Sequence, residues 1–211
     1  MDALHDLVGL WLQPAFSLWG SPITWTELLA CALSLWMVGC NMRVHPLGWP
    51  LATVSSLLYA ALFLHYRLYG EASLQLVFVA LAGWGWWEWL HGRGGDGQRL
   101  TVHRLDGRAR MRVAVMCLAA WPLLGLLLHR MTDSDVPFLD ALPTVGSVAG
   151  QILLGRKLVE NWPVWVAVNL VSVGLFAYKG LWLTVLLYGL FALLAVWGWR
   201  RWQALEGQVH G

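Results

Sequence analysis

Long apolar stretches alternate with short polar breaks along most of this chain. A helix needs about 20 mainly apolar residues to cross the roughly 30 Å hydrocarbon core of a bilayer. The sequence offers seven stretches near that length, at positions 24–41, 47–65, 71–90, 112–130, 137–155, 162–178 and 181–199. The pattern therefore predicts seven transmembrane helices.

The segment before the first of these stretches is less apolar. It has no basic region at its start and carries Asp2 and Asp6, so no cleavable signal peptide is predicted. Residues Ala3 to Trp19 are predicted to form a short interfacial helix that contains Pro14.

Composition supports a membrane protein. Hydrophobic residues make up 58% of the 211 residues and charged residues only 12%, and the mean hydropathy is +0.58. Sixteen tryptophans suit a protein with two membrane interfaces to anchor. The three cysteines, Cys31, Cys40 and Cys117, stand singly in apolar segments. Without paired Cys or Cys/His spacing, the sequence predicts neither a disulfide framework nor a metal site, and it gives no sign of a cofactor.

The arginines and lysines predict the orientation, because short loops rich in these residues stay in the cytoplasm. Six arginines lie between positions 93 and 112, in the longest polar segment. Placing that loop inside puts eleven of the fourteen basic residues in the cytoplasm and leaves Arg67, Arg130 and Lys179 outside. The N-terminus is then predicted outside and the C-terminus inside. The basic loop is interpreted as an orientation signal in contact with membrane lipid, and no nucleic-acid partner is expected.

The chain matches itself at an offset of 113 residues. Trp49-Pro50 corresponds to Trp162-Pro163, and Trp84-Gly85-Trp86 to Trp197-Gly198-Trp199, with no gap between the two matches. Each copy holds three predicted helices, and the fourth lies between them. This predicts an all-α integral membrane protein with seven helices in a 3+1+3 arrangement of parallel, SWEET-like repeats. A duplicated bundle with a purely structural role is the alternative.

The predicted organisation along the chain has five parts. They are an N-terminal interfacial segment (1–21), a first three-helix repeat (22–91), a basic cytoplasmic loop with the linker helix (92–136), a second three-helix repeat (137–202) and a cytoplasmic tail (203–211). In proteins with such repeats, binding sites lie near the membrane midplane between the copies.

Polar side chains at membrane depth are the candidate site. Trp162, Trp165, Asn169 and Ser172 fall on one face of the sixth helix, because they are three or four residues apart. The further candidates come from the other helices of the two repeats: Trp49, Tyr59, Gln75, Gln151 and Tyr188. Such groups act either in function or as hydrogen bonds between helices. For Trp165 with Asn169 the spacing favours function.

These residue types suit a flat heteroaromatic ligand. An indole face stacks on a ring and attracts a cation, while amides bind hydroxyl or carboxamide groups. The acidic residues nearest the membrane, Glu27, Glu88 and Glu160, lie near predicted helix ends, so a carboxylate proton relay is not expected. No catalytic motif or catalytic residue is recognisable, and an enzyme is not predicted. Uniport of an uncharged or weakly cationic small molecule is the function favoured.

With these motifs in view, the chain resembles the PnuC family of vitamin transporters. The resemblance rests on the Trp-Pro pair of the second helix, on LYGEASLQ and AGWGWWEW in the third, on ENWPVWVAVN in the sixth and on LLYGLFALLAVWGWRRW in the seventh. It extends over nearly all of residues 22 to 202.

The resemblance implies a homotrimer in the bacterial cytoplasmic membrane that imports nicotinamide riboside by facilitated diffusion. A cytosolic kinase would then trap the vitamin by phosphorylation. Thiamine or another ring-containing vitamin is the alternative substrate, because the family also has thiamine and riboflavin relatives and thiamine likewise presents a cationic aromatic ring. By the family's pattern, Trp165 and Asn169 contact the ligand, whereas the roles of Gln75, Tyr188 and Gln151 vary with the substrate.

Overall fold

The computed structural model describes residues 14–18, 21–65, 69–94, 97–132, 136–178, 180 and 182–209. Within these residues the chain forms seven helices after a short hairpin. The helices are α1 (Trp25–Met42), α2 (Gly48–His65), α3 (Tyr69–His91), α4 (Gly107–Met131), α5 (Pro137–Gly155), α6 (Asn161–Tyr178) and α7 (Trp182–Val209). Each contains one of the predicted apolar stretches almost completely, so the helical fold and the helix positions are confirmed.

Three of these helices, α4, α5 and α6, are long and apolar enough to cross a membrane by length and composition. Two more hold shorter apolar segments, Leu28–Met42 in α1 and Gly48–Leu62 in α2. These statements concern the described residues only. The chain therefore has the helices of a multi-pass membrane protein, with α4 the most exposed of the three long apolar ones, since only 6% of its apolar window is buried.

The N-terminal prediction is wrong where the structure can test it. Residues Pro14–Leu18 form strand β1, which pairs antiparallel with β2 (Ser21–Thr24), instead of belonging to a helix. Pro14 has no backbone N–H, and its ring clashes with the preceding turn inside a helix. Pro22 likewise disfavours helical backbone at Ser21. The rest of the predicted interfacial helix, residues 3–13 and Trp19, lies outside the described residues.

The chain divides into two compact units. Unit 1 is Met1–Trp86, where α1 packs on α2 and on β2. Unit 2 is Trp87–Gly211, where α5 packs between α4 and α6, and α6 packs on α7.

The 113-residue offset recurs in the helix boundaries. The first residues of α2 and α6, Gly48 and Asn161, lie 113 apart, and so do their last residues, His65 and Tyr178. The first residues of α3 and α7, Tyr69 and Trp182, have the same separation.

The loops before α2 and α6 also share their backbone geometry. Val44 and Lys157, at equivalent positions, both have left-handed backbone, with φ of 54° and 53°. Five backbone hydrogen bonds recur at the same offset, among them Val44 N–H to Asn41 O (3.1 Å) and Lys157 N–H to Leu154 O (2.9 Å). The remaining four begin at the N–H groups of His45, Gly48, Trp49 and Leu51 and recur at Leu158, Asn161, Trp162 and Val164. Because left-handed backbone is uncommon outside glycine, its recurrence gives structural support to an internal duplication.

The basic loop between α3 and α4 is bound to the α5–α6 loop within unit 2. His103 N–H donates to Lys157 O (3.2 Å), and Val159 N–H donates to His103 O (3.0 Å). The Glu160 carboxylate accepts from Leu105 N–H (3.3 Å) and from Arg110 Nε (2.9 Å). Backbone hydrogen bonds and an ion pair therefore hold the basic loop against the second repeat.

Candidate functional site

The predicted stripe on α6 is buried in the structure. Trp162, Asn169 and Ser172 are each at most 6% exposed, and Trp165 is half-buried. Successive members are three or four residues apart, so one face of α6 carries them all. An apolar environment makes this burial costly for an amide unless it finds a partner.

Trp165 lies against α5. A Cβ atom added at Gly150 would stand 3.0 Å from Cε2 and 3.2 Å from Nε1 of its indole. One turn along, a Cβ at Gly146 would stand 2.5 Å from Cγ2 of Val168. Gly146 and Gly150 thus remove the side chains that would hold α6 away, and the pyrrole side of the indole rests on the α5 backbone.

Two buried amides lie on these packed helices. Gln151 follows Gly150 on α5, and Asn169 lies one turn after Trp165 on α6; their exposed fractions are 8% and 6%. Neither side chain forms a hydrogen bond to another residue in the part of the chain that the structure describes. Each amide is therefore available to an additional polar group, such as a ligand or water.

Trp162 has a different environment from Trp165. Its six-membered ring covers Gly198 of α7, where an added Cβ would be 2.5 Å from Cη2 and Cζ3. Its edge also meets the Trp202 ring at 5.6 Å between centroids, with the planes 83° apart. Within the described residues, the buried Nε1 of Trp162 and the buried Oδ1 of Asn161 have no hydrogen-bond partner. Trp162 is thus a core side chain of unit 2, packed against Gly198 and Trp202.

Tyr188 belongs to an aromatic group at the junction of α6 and α7. Its ring centroid is 5.1 Å from that of Phe176 and 6.2 Å from that of Phe191. The sequence comparison singled out Tyr188 but not the two phenylalanines. Phe191 lies three residues after Tyr188 on α7, and Phe176 lies on α6. The contact of Phe176 with Tyr188 depends on how the two helices pack, so the sequence alone could not show it.

Three further candidates belong to unit 1. Trp49 is 1% exposed, and its ring covers Gly85 so closely that a Cβ there would clash with it. This contact has the same sequence offset as that of Trp162 with Gly198. Tyr59 and Gln75 are half-buried on α2 and α3. A partly buried hydroxyl pair that the sequence did not single out, Ser34 with Ser55 at 2.9 Å, joins α1 to α2.

The described residues hold no cluster of three or more His, Cys, Asp or Glu side chains that could bind a metal ion. The functional groups gathered on the candidate face are indoles, amides and hydroxyls. They can stack on a planar ring and form hydrogen bonds to neutral substituents.

Comparison with known proteins fits this chemistry. The model of the nicotinamide mononucleotide transporter family matches residues 24–204. The chain is 26% identical over 208 residues to the nicotinamide riboside transporter PnuC of Escherichia coli (strain K12), with 87% of each chain covered. It is 29% identical over 204 residues to the riboflavin/roseoflavin transporter RibM of Streptomyces davaonensis, with 91% of each covered.

A solved structure has the same fold. The crystal structure of the vitamin B3 transporter PnuC superimposes with a TM-score of 0.71 at 22% identity, and the match covers 87% of this chain and 83% of that one. The relatives that the chain matches are membrane transporters and not enzymes. The chain is a member of the nicotinamide mononucleotide transporter family, which confirms the PnuC resemblance.

Proposed function

We propose that this protein imports nicotinamide riboside by facilitated diffusion, with Trp165 and Asn169 binding the substrate. The observation that carries the proposal is the pairing of Asn169, a buried amide with no hydrogen-bond partner among the described residues, with an indole one turn away. The indole would stack on the cationic pyridine ring, and the amide would bind the polar substituents.

The other predicted contacts remain part of the proposal. Gln151 is buried beside Gly150 and offers a second amide, while Tyr188 offers a hydroxyl inside an aromatic group. Gln75, Tyr59 and Trp49 are the candidates contributed by the first repeat. Trp162 is proposed to support the site through its packing on Gly198 and Trp202, because its ring is already covered by protein.

We place all seven helices across the cytoplasmic membrane as two parallel three-helix repeats joined by α4. The repeated helix boundaries and the repeated left-handed residues Val44 and Lys157 support this duplication. The charge distribution supports an outside N-terminus and a cytoplasmic C-terminus. We also propose that the protein is a homotrimer and that phosphorylation in the cytosol traps the imported vitamin.

Riboflavin is the second candidate substrate, because the relative at 29% identity is a riboflavin/roseoflavin transporter. Thiamine, the alternative from the sequence, has no comparable support. The two candidates differ chemically: nicotinamide riboside carries a single cationic ring, whereas riboflavin has a neutral ring system three rings wide. A cation–π contribution at Trp165 would favour the first.

Uptake and binding measured together test the proposal. Purified protein is titrated with nicotinamide riboside, riboflavin and thiamine while its thermal unfolding is followed, because a ligand raises the apparent stability by mass action. Trp165→Ala and Asn169→Ala are expected to abolish uptake and the thermal shift, with the folded protein still present in the membrane. Trp182→Ala, which truncates a 60% exposed tryptophan, is the matched control and should retain both.

Full uptake by both site variants would remove the site assignment. A thermal shift with riboflavin and none with nicotinamide riboside would replace the substrate while leaving the site in place.

A further inference from the structure

A cavity that is open to solvent lies where α3 ends and the basic loop begins. Its volume is about 490 Å³, and it is lined by Leu90, His91, Gly92, Arg93, Gly97 and Arg99. The chain turns back on itself here: Leu100 N–H donates to Gly92 O (3.1 Å), and Gly94 N–H donates to Gln98 O (2.9 Å). The candidate transport site on α6 uses none of these residues.

The turn places two like charges opposite each other. Arg93 and Arg99 form an antiparallel bridge, so their side chains leave the backbone on the same face. Directly opposed like charges destabilise such a pair. Arg93 Nη1 donates to Gly97 O (3.4 Å) across the turn, and both residues line the cavity.

No carboxylate in the described part of the chain forms an ion pair with either arginine. The ion pairs found there use Arg104, Arg110 and Arg156 instead. Glu88, whose carboxylate lies beside Gly92, is 3.9 Å from Arg156. Within the described residues the guanidinium groups of Arg93 and Arg99 therefore have no carboxylate partner.

The ammonium group of Lys157 is a third positive charge close to the arginines. Lys157 donates to Leu100 O (2.9 Å) and lies 5.2 Å from the centre of the Trp89 ring. Burial lowers the pKa of Lys157, and the nearby positive charge of Arg99 lowers it further. An anion between the two arginines would offset both repulsions.

We propose that this cavity binds a phosphate group, held between the guanidinium groups of Arg93 and Arg99. Guanidinium groups bind phosphate oxygens through paired, charge-assisted hydrogen bonds, and two of them can share one phosphate. His91 and the backbone around Gly97 complete the wall.

The group has two possible sources. Beside the cavity, Leu90 and Trp87 are 49% and 57% exposed, and the Trp87 ring stacks on His91 at 5.8 Å. This apolar rim suits the glycerol and upper acyl chains of an anionic phospholipid. A soluble phosphate would bind to the arginines of the cavity without using this apolar rim. The inference does not depend on which vitamin is transported.

The test uses the purified full-length protein with two probes. In one arm, phosphatidylglycerol or phosphatidylcholine is added to detergent-solubilised protein, and retained lipid is counted by native mass spectrometry. In the other, inorganic phosphate is titrated against apparent melting temperature, with chloride at equal ionic strength as the reference. Retention of phosphatidylglycerol alone assigns the site to lipid, and a phosphate-specific shift in melting temperature assigns it to a soluble anion.

Arg93→Gln and Arg99→Gln are each expected to weaken the bound anion about tenfold, the loss of one charge-assisted contact. Arg108→Gln removes the same charge from an exposed position outside the cavity and should leave binding unchanged. Equal loss in all three variants would show only a diffuse charge effect and overturn the proposal. So would the absence of binding in both arms. Asp96 lies between the arginines in sequence and outside the described residues. Binding that appears only in Asp96→Asn, and not in the wild type, would likewise overturn the proposal.

Discussion

The indole of Trp165 rests on the backbone of Gly150, with room between the helices for little more than the hydrogen atoms of the glycine. A Cβ at position 150 would lie 3.0 to 3.4 Å from three atoms of the ring, which forces the ring to shift by a few tenths of an ångström. Gly150 therefore sets the distance of the proposed ligand-stacking indole from α5.

Gly150→Ala is expected to weaken nicotinamide riboside binding by about 1 kcal/mol, roughly fivefold in Kd, because the displaced indole alters the stacking distance. Titration calorimetry measures the loss. Gly174→Ala is the matched control, since a Cβ there meets nothing within 4 Å. In a Trp165→Phe background the smaller ring leaves space for the new methyl group, so the effect of Gly150→Ala should shrink. Equal effects in both backgrounds would show that Gly150 does not act through Trp165.

Gly198→Ala is expected to destabilise the protein by about 1–3 kcal/mol, because a methyl group there overlaps the Trp162 ring. Gly85→Ala should behave alike through Trp49, which covers it in the same manner. Thermal unfolding in detergent measures both. Gly189→Ala on α7 has open space around the new methyl group and gains helix propensity, so its melting temperature should stay constant or rise. Identical behaviour of all three variants would contradict the packing argument.

Val44→Asn is expected to stabilise the protein by about 1 kcal/mol. Val44 is a β-branched residue with φ of 54°, a region that asparagine tolerates far better. Val44→Ala, which removes the branch but keeps Cβ, should give a smaller gain. The free energy of unfolding from denaturant titration distinguishes the two, and a loss of stability in Val44→Asn would mean that contacts of the valine outweigh its backbone strain.

Lys157 predicts a pH dependence in the alkaline range. Burial first, and Arg99 second, hold the pKa of Lys157 below its ordinary 10.5. Between the lowered pKa and 10.5 the unfolded chain binds more protons than the folded one, so the contribution of Lys157 to the free energy of unfolding rises with pH. Melting temperatures of the wild type and of Lys157→Met should therefore diverge in favour of the wild type as the pH approaches 10.5. A difference that stays constant with pH would exclude the lowered pKa.

Much of the architecture followed from the apolar pattern. Because the hydrocarbon thickness sets the length of a crossing helix, the predicted stretches located all seven helices to within a few residues at most ends. The error at Pro14–Leu18 arose where that constraint is absent, since a short segment outside the bilayer can form hydrogen bonds as a helix or as a hairpin.

The candidate site was predictable in part. The stripe of Trp162, Trp165 and Asn169 depends on helical spacing alone, so the sequence determined that these residues share one face of α6. Which neighbour each one meets depends on contacts between separate helices: Gly150 faces Trp165, while Trp202 and Gly198 cover Trp162. Helix packing decided that difference, because two tryptophans one turn apart look equivalent until the surfaces opposite them are known.

The internal duplication was likewise predicted in part by the sequence and in part revealed only by the structure. Matched tryptophans and glycines in the sequence predicted a repeat, and only the backbone conformation revealed that Val44 and Lys157 are left-handed in both loops. The cavity of Arg93 and Arg99 was found only from the structure. The sequence shows two arginines in a basic loop, but it does not show that a turn places them opposite each other. Local periodicity is encoded in neighbouring residues, whereas contacts between distant residues exist only once the chain has folded.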